Sequence, residues 1–293
     1  MSETGQTFGS RRDDADAASP EAVVGRLRRL HDGEEALHDV AMLGDAARGP
    51  LQALLTEREP SGIYQPRILA ARALGTIHAE DILLAFLKAP RFPDDPVERA
   101  GEEAVVNGAA EVLAANHYAP AFPVLKEIVA GRPHLIGSVH ALASYDRADA
   151  VPELIAALGD DGSRHAAHEG LVRIGPPARA PLLECIQRLS WRQDAAFETN
   201  RRHRHGALLV LADIGLPDRS CPLLAQLMHD PDRRISAAAC GVMLRHGPPD
   251  RRREAGSLLS ALWHGGDLRL RIEIQMLMRG AGSPYPGLAD PTP

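Results

Sequence analysis

The sequence predicts an all-α protein built as a solenoid of about seven helical hairpins, and three observations carry that reading. First, a short Pro-centred segment recurs at the start of apolar helical stretches, as Ala121-Phe122-Pro123-Val124-Leu125, Ala150-Val151-Pro152-Glu153-Leu154, Arg179-Ala180-Pro181-Leu182-Leu183 and Ser220-Cys221-Pro222-Leu223-Leu224. Each copy follows closely on the end of another apolar stretch. Second, the ends of those preceding stretches repeat, at Ala47, His78, His117, Asp146, Gly175, Gly215 and Gly247, with a partial copy near Gly280. Most of these ends are separated by roughly 30 positions, and the units ending at His117 and Gly215 are enlarged. Tandem units of this length, each too small to bury its own apolar face, are the signature of stacked helical repeats. Third, aromatic residues make up only 4% of the chain, while Ala, Leu and Arg dominate. Closely spaced helices use such small and aliphatic side chains, whereas β-sandwiches favour aromatic and β-branched ones.

In chain order, residues 1–19 read as a disordered polar leader, 20–280 as the helical array with the last one or two hairpins as a cap, and 281–293 as a Pro-rich flexible tail. Within a unit, Gly or a small polar residue ends the first helix because it tolerates the left-handed conformation found there. Pro176-Pro177 and Pro217-Asp218 then turn the chain, since Pro cannot continue a helix. The recurrent Pro falls in the first turn of the second helix, where its missing N–H is no loss. Apolar residues follow at helical spacing, as in Val151, Leu154, Ile155 and Leu158. Asp230-Pro231-Asp232 opens the next first helix with an acidic cap ahead of Ile235, Ala238, Ala239 and Val242.

Charge narrows the function. The formal net charge is −6, and Lys88 and Lys126 are the only lysines, which argues against broad nucleic-acid binding. Residues 1–150 carry 15 basic and 23 acidic side chains and the remainder 18 and 16, so the C-terminal half is the better surface for an acidic partner. Cys185, Cys221 and Cys240 show no metal-ligand spacing and read as reduced, buried thiols. No apolar run reaches the roughly 18–20 residues of a membrane span. The segment from Met1 to Pro20 lacks the apolar core of a secretory signal, so a cytoplasmic location is expected. Phosphate-binding Gly-rich loops and the G-x-S-x-G elbow are missing from the sequence, which gives nucleophilic catalysis no positive support.

The segments Asp149-Ala150-Val151-Pro152-Glu153-Leu154-Ile155-Ala156-Ala157-Leu158-Gly159-Asp160 and Asp230-Pro231-Asp232-Arg233-Arg234-Ile235-Ser236-Ala237-Ala238-Ala239 resemble the HEAT-repeat family, particularly the short bacterial HEAT-like repeats also found in phycobilin lyases. The resemblance covers roughly residues 33–280 and is closest from 135 onward. It implies a right-handed α-solenoid whose second helices line a concave surface, here bearing Glu153, Glu184, Arg188, Arg219 and Gln226, and a scaffold or adaptor role without a cofactor. A bilin-handling role is a minor implication of the same likeness.

Two constellations are candidates for chemistry. His165, His168 and Glu169 sit one helical turn apart, and His165 occupies the same repeat position as His205. That phasing is similar to deoxyhypusine hydroxylase, a HEAT-repeat enzyme whose His-Glu pairs hold two irons. Ala166 and Gly206 follow the two histidines here, so the paired pattern is absent, and junction polar residues are the plainer reading. The second constellation is the enlarged loop of 191–205, with Trp191, Arg192, Asp194, Arg201, Arg202, His203, Arg204 and His205. Five cationic or potentially cationic residues at a helix start oppose the helix dipole, which a sequence tolerates where they meet an acidic partner. Trp191 would supply apolar contact area. The same cluster raises a DNA-binding reading, because some bacterial DNA glycosylases are built on HEAT-like repeats; their Trp and Asp would correspond here only to Trp191 and Asp194. The sequence thus leads to a non-catalytic protein-binding scaffold. Its contact residues would be Glu184, Arg188, Trp191, Arg192, Arg201, Arg202, His203, Arg204 and Arg219, and its partner another protein with an acidic or helical segment. The sequence leaves the oligomeric state open.

Overall fold

A computed structural model describes residues 19–57, 65–188, 197–216 and 222–281. Among these residues every regular element is a helix. The chain divides into two compact units, Met1–Ile128 and Val129–Pro293.

The first unit opens with α1 (Pro20–Gly25), whose N-terminus is capped by Ser19, its Oγ accepting from the Ala22 N–H at 3.2 Å. Three hairpins follow: α2 (Gly33–Leu43) with α3 (Arg48–Leu55), α4 (Pro66–Thr76) with α5 (Glu80–Lys88), and α6 (Pro96–Ala115) with α7 (Ala121–Gly131), which contains the boundary. The first helices pack in chain order, α2 on α4 and α4 on α6, and the second helices α3 and α5 each pack on the first helix that follows. Leu51, Leu54, Leu74, Leu83, Leu87 and Leu113 are fully buried between them. Each such leucine contributes on the order of 2 kcal/mol by leaving water.

The second unit repeats the scheme. Its hairpins are α8 (Ile136–Ala143) with α9 (Val151–Ala157), α10 (Arg164–Ile174) with α11 (Arg179–Arg188), α12 (Phe197–Ile214) with α13 (Pro222–Leu227), and α14 (Arg233–His246) with α15 (Pro249–His264). Helix α16 (Leu268–Gly280) follows. Helices α8, α10, α12, α14 and α16 pack each on the next, and α9, α11, α13 and α15 each pack on the following first helix. Small residues permit this closeness. A Cβ on Gly170 would lie 2.5 Å from the Ala143 Cβ, and one on Gly241 would lie 2.6 Å from Leu277 Cδ2.

The turns carry the repeat in their backbone. Among the described residues those with positive φ are Gly44, His78, His117, Asp146, Gly175 and Gly215. Five of these are the unit ends expected from the sequence. At His78 the Ala79 N–H reaches back to the Leu74 carbonyl at 2.8 Å and the His78 N–H to Gly75; at His117, Tyr118 and His117 do the same toward Leu113 and Ala114. These paired bonds satisfy the last carbonyls of α4 and α6.

Three expectations need correction. The first unit end is Gly44 rather than Ala47, because Gly44 adopts the positive φ and a 3-10 turn (Gly44–Ala47) then leads into α3. Gly247 is extended at φ −72°, its position before Pro248-Pro249 favouring that backbone. Residues 197–205 are not loop but the first turns of α12. Of the leader only Ser19, and of the tail only Ala281, fall within the described residues. Among the described residues no helix is long and apolar enough to cross a membrane.

Candidate functional site

The described candidates of the cationic run and the His165, His168 and Glu169 set lie on α12 and on α10 beside it, in the second unit. Helix α12 lies close to the end of α9 because each side of the contact supplies a glycine, Gly206 on α12 and Gly159 just after α9. A Cβ on Gly206 would sit 3.2 Å from that of Leu158, and one on Gly159 would fall 2.3 Å from His203 Cε1. His203 fills that notch, with Nε2 2.7 Å from the Ala156 carbonyl and Nδ1 3.0 Å from the Thr199 carbonyl.

The rest of the cationic run fans around the helix, since successive residues are about 100° apart on it. Arg201 donates to both carboxylate oxygens of Glu198, at 2.9 and 2.7 Å, and to Asp232 at 3.3 Å. Arg202 meets Glu198 at 3.2 Å and Asp161 at 3.0 Å. Glu198 stands in the first turn, where an acid suits the helix dipole, and so offsets the unfavourable placement of the cations behind it. The hydrogen bond from Arg201 holds the Glu198 carboxyl below its usual range, with that from Arg202 adding to it. His205 turns the other way, to Glu273 on α16 at 2.5 Å.

Arg204 is the exception in the run, being 3% exposed. It lies near Asp230, Asp232 and Cys185, and burial lowers its pKa despite the acids beside it. Asp230 is also buried, and burial raises its carboxyl. Asp230 Oδ1 accepts from the Asp232 N–H at 2.8 Å, and Asp232 in turn caps α14. The sequence held a signal for the burial of Arg204. Its spacing to Ala207, Leu208 and Leu211 puts it on the apolar face of α12.

His165, His168 and Glu169 share α10, as the spacing predicts, but they turn to different partners. His165 Nε2 pairs with Glu169 at 3.3 Å on the surface. His168 Nε2 reaches Asp213 on α12 at 2.9 Å, and Asp213 accepts from Arg245 on α14 at 2.5 Å. Burial pulls the His168 pKa down, and the nearby Asp213 opposes this only in part. Among the described residues no three or more His, Cys, Asp or Glu side chains form a group able to hold a metal ion.

Between α10 and α12 lies a shallow depression of about 210 Å³, lined by Leu158, Asp161, Arg164, His165, His168, Gly206 and Leu209. Arg164 is fixed at its rim, donating to the Leu158 carbonyl at 3.0 Å and to Asp161 at 2.7 Å. Glu184 is exposed on α11, the helix that Arg188 closes, and Gln226 is exposed on α13. Trp191, Arg192, Asp194 and Arg219 lie outside the described residues, as does Cys221. Cys240 is buried, and burial pushes its thiol up to about 12, so it stays a thiol at neutral pH; Cys185 is half-buried.

The arrangement around α12 is a set of ties. One helix is joined through consecutive side chains to the end of α9, the start of α14 and the middle of α16. Comparison with models of protein families, with curated proteins and with solved structures gives no match.

Proposed function

We propose that this chain is a non-catalytic, cofactor-free protein-binding scaffold of the HEAT-like solenoid class, right-handed and built of about seven hairpins. The observation that carries the reading is the recurrence of one hairpin geometry. Positive-φ turns recur at Gly44, His78, His117, Asp146, Gly175 and Gly215, and within each unit the first helices pack on one another in chain order. Hairpins stacked this way bury their first helices and leave the second helices to present a long face, whose curvature suits a helix or an extended segment of another protein. Glu184 and Gln226, both exposed on second helices, would belong to that face, and the half-buried Arg201 and Arg202 in the first turns of α12 would add to the contact. The arginines would exchange part of their internal pairing with Glu198 for carboxylates of the partner.

A photo-reactive amino acid placed at Glu184 and at Gln226, with Glu111 on a first helix as control, tests this in the cells the protein comes from. The reading expects a discrete protein adduct from positions 184 and 226 and none from 111. Equal labelling from all three positions, or no adduct, contradicts it.

A further inference from the structure

The second unit ends on a helix whose outer side is built like an inner one. Helix α14 is buried from Ile235 to Leu244, enclosed by the helices on either side and by α15. Helix α16 turns Leu270, Ile274, Leu277 and Met278 inward, with Leu277 seated over Gly241. Its other side carries Leu268, Ile272 and Met276, which are 75%, 48% and 61% exposed. Their i, i+4, i+8 spacing forms one stripe about 12 Å long. Among the described residues the remaining large exposed apolar side chains, Leu30, Met42, Val97 and Ile136, are scattered singly, which is ordinary for a surface. A contiguous stripe of three is not, because an apolar patch that shares one helix face marks a surface built to be covered.

The charges beside the stripe specify what covers it. Arg269, Arg271 and Arg279 are exposed around it. The single acid within α16, Glu273, is turned away to His205, with its side chain 12% exposed. Asp267, just before the helix, is held as the cap on the Leu270 N–H at 2.8 Å. The face is therefore apolar along its centre and cationic at its edges. A second copy docking through the same face would set these arginines against one another. In this unit each earlier first helix is covered by a further helix, so the matching shape is again helical.

We propose that the outer face of α16 docks an amphipathic helix with acidic flanks supplied by another protein. The proposal rests on the binding role above and adds a second contact surface with its own partner chemistry. Leu268, Ile272 and Met276 would take the apolar side of the incoming helix, while Arg269, Arg271 and Arg279 would meet its carboxylates.

The test uses the full chain and two synthetic helical peptides of about 16 residues, roughly 24 Å long. They share one apolar stripe and differ in having Glu or Lys at every flanking position; binding is read by fluorescence anisotropy at low and high salt. The Glu peptide is expected to bind and to weaken with salt, and the Lys peptide to bind at least about tenfold less tightly. Ile272→Asp with Met276→Asp should abolish binding, and Arg269→Glu with Arg271→Glu and Arg279→Glu should reverse the preference. These positions are exposed, and unchanged helical circular dichroism checks that the variants fold. Equal affinity for both peptides, or no binding, overturns the proposal. So does self-association of the native chain in sedimentation that Ile272→Asp with Met276→Asp removes, since the occupant is then a second copy. Tighter peptide binding after deletion of residues 282–293 overturns it as well, by making the chain's own end the occupant. Should the peptides fail while adducts from Glu184 and Gln226 persist, the α16 face is refuted and the scaffold reading stands.

Discussion

Each unit buries an arginine beside an acid, and the two sites are furnished very differently. In the first, Arg67 of α4 donates to Glu102 of α6 at 2.6 Å and to the Leu55 carbonyl at 2.7 Å, with its guanidinium over the Phe86 ring at 5.5 Å. The other oxygen of Glu102 accepts from the Arg91 N–H at 3.3 Å. One ion pair thus joins the end of α3, the ring on α5, the following loop and α6. In the second, Asp230 uses Oδ1 for the turn before α14, while among the described residues its buried Oδ2 has no hydrogen-bond partner. Burial of a charge is favourable only when its lone pairs are met, and otherwise the site is strained toward neutrality. The first site works as a structural clamp, whereas in the second burial pushes both groups toward neutrality.

Breaking the clamp should have the largest effect. Glu102→Gln leaves Arg67 buried opposite an amide and should cost about 3 kcal/mol, read as a lowered midpoint in denaturant. Asp230→Asn should behave differently. With its folded pKa raised by burial, Asp230 favours the folded state at pH values below its unfolded pKa, and that contribution is lost as pH rises through the folded value. At neutral pH the neutral isostere removes the burial penalty while Asp232 still faces the buried Arg204, so its loss should be clearly smaller than that of Glu102→Gln. A loss as large as that of Glu102→Gln would erase the distinction between the two sites.

The pair between His168 and Asp213 sharpens the comparison with a half-buried case. The folded pKa of His168 is lowered below its ordinary 6.5, chiefly by burial. The sign is that of a base kept neutral: its contribution is present above 6.5 and is lost as pH falls through the folded value. His168→Gln, which can still hydrogen-bond Asp213, should flatten that acid-side decline while changing stability at pH 8 little. An unchanged slope would mean that His168 does not titrate differently on folding.

Much of this was readable along the chain because the repeat is local. A positive-φ residue between two apolar stretches, followed by Pro in every case but His78, depends on neighbours a few positions away, so His78, His117, Asp146, Gly175 and Gly215 could be placed. Gly44 escaped because Asp45, Ala46 and Ala47 continue from it as a 3-10 turn into α3, so the end of the apolar run does not coincide with the residue that turns. The internal partners of the cationic run were less legible. Its stabilising acid, Glu198, precedes it within the same helix, but Asp161 and Asp232 belong to the turns before α10 and α14, and the Glu273 that meets His205 belongs to α16. Pairings between separate hairpins follow from stacking and leave no mark in local spacing. The burial of Arg204 was legible in its helical phase, which it shares with Ala207, Leu208 and Leu211.

The central claim is that the hairpin between successive turns is the building unit. Deleting residues 147–175 removes one such unit, joining Asp146 directly to Pro176 so that a first helix again meets a turn and a second helix. Thermal unfolding of that variant by circular dichroism, beside a variant lacking only 147–161, tests it most directly. The account predicts that the first keeps a helical spectrum and a cooperative transition at a lower midpoint, while the second, cut out of phase, loses cooperativity. Loss of the cooperative transition in both would contradict it.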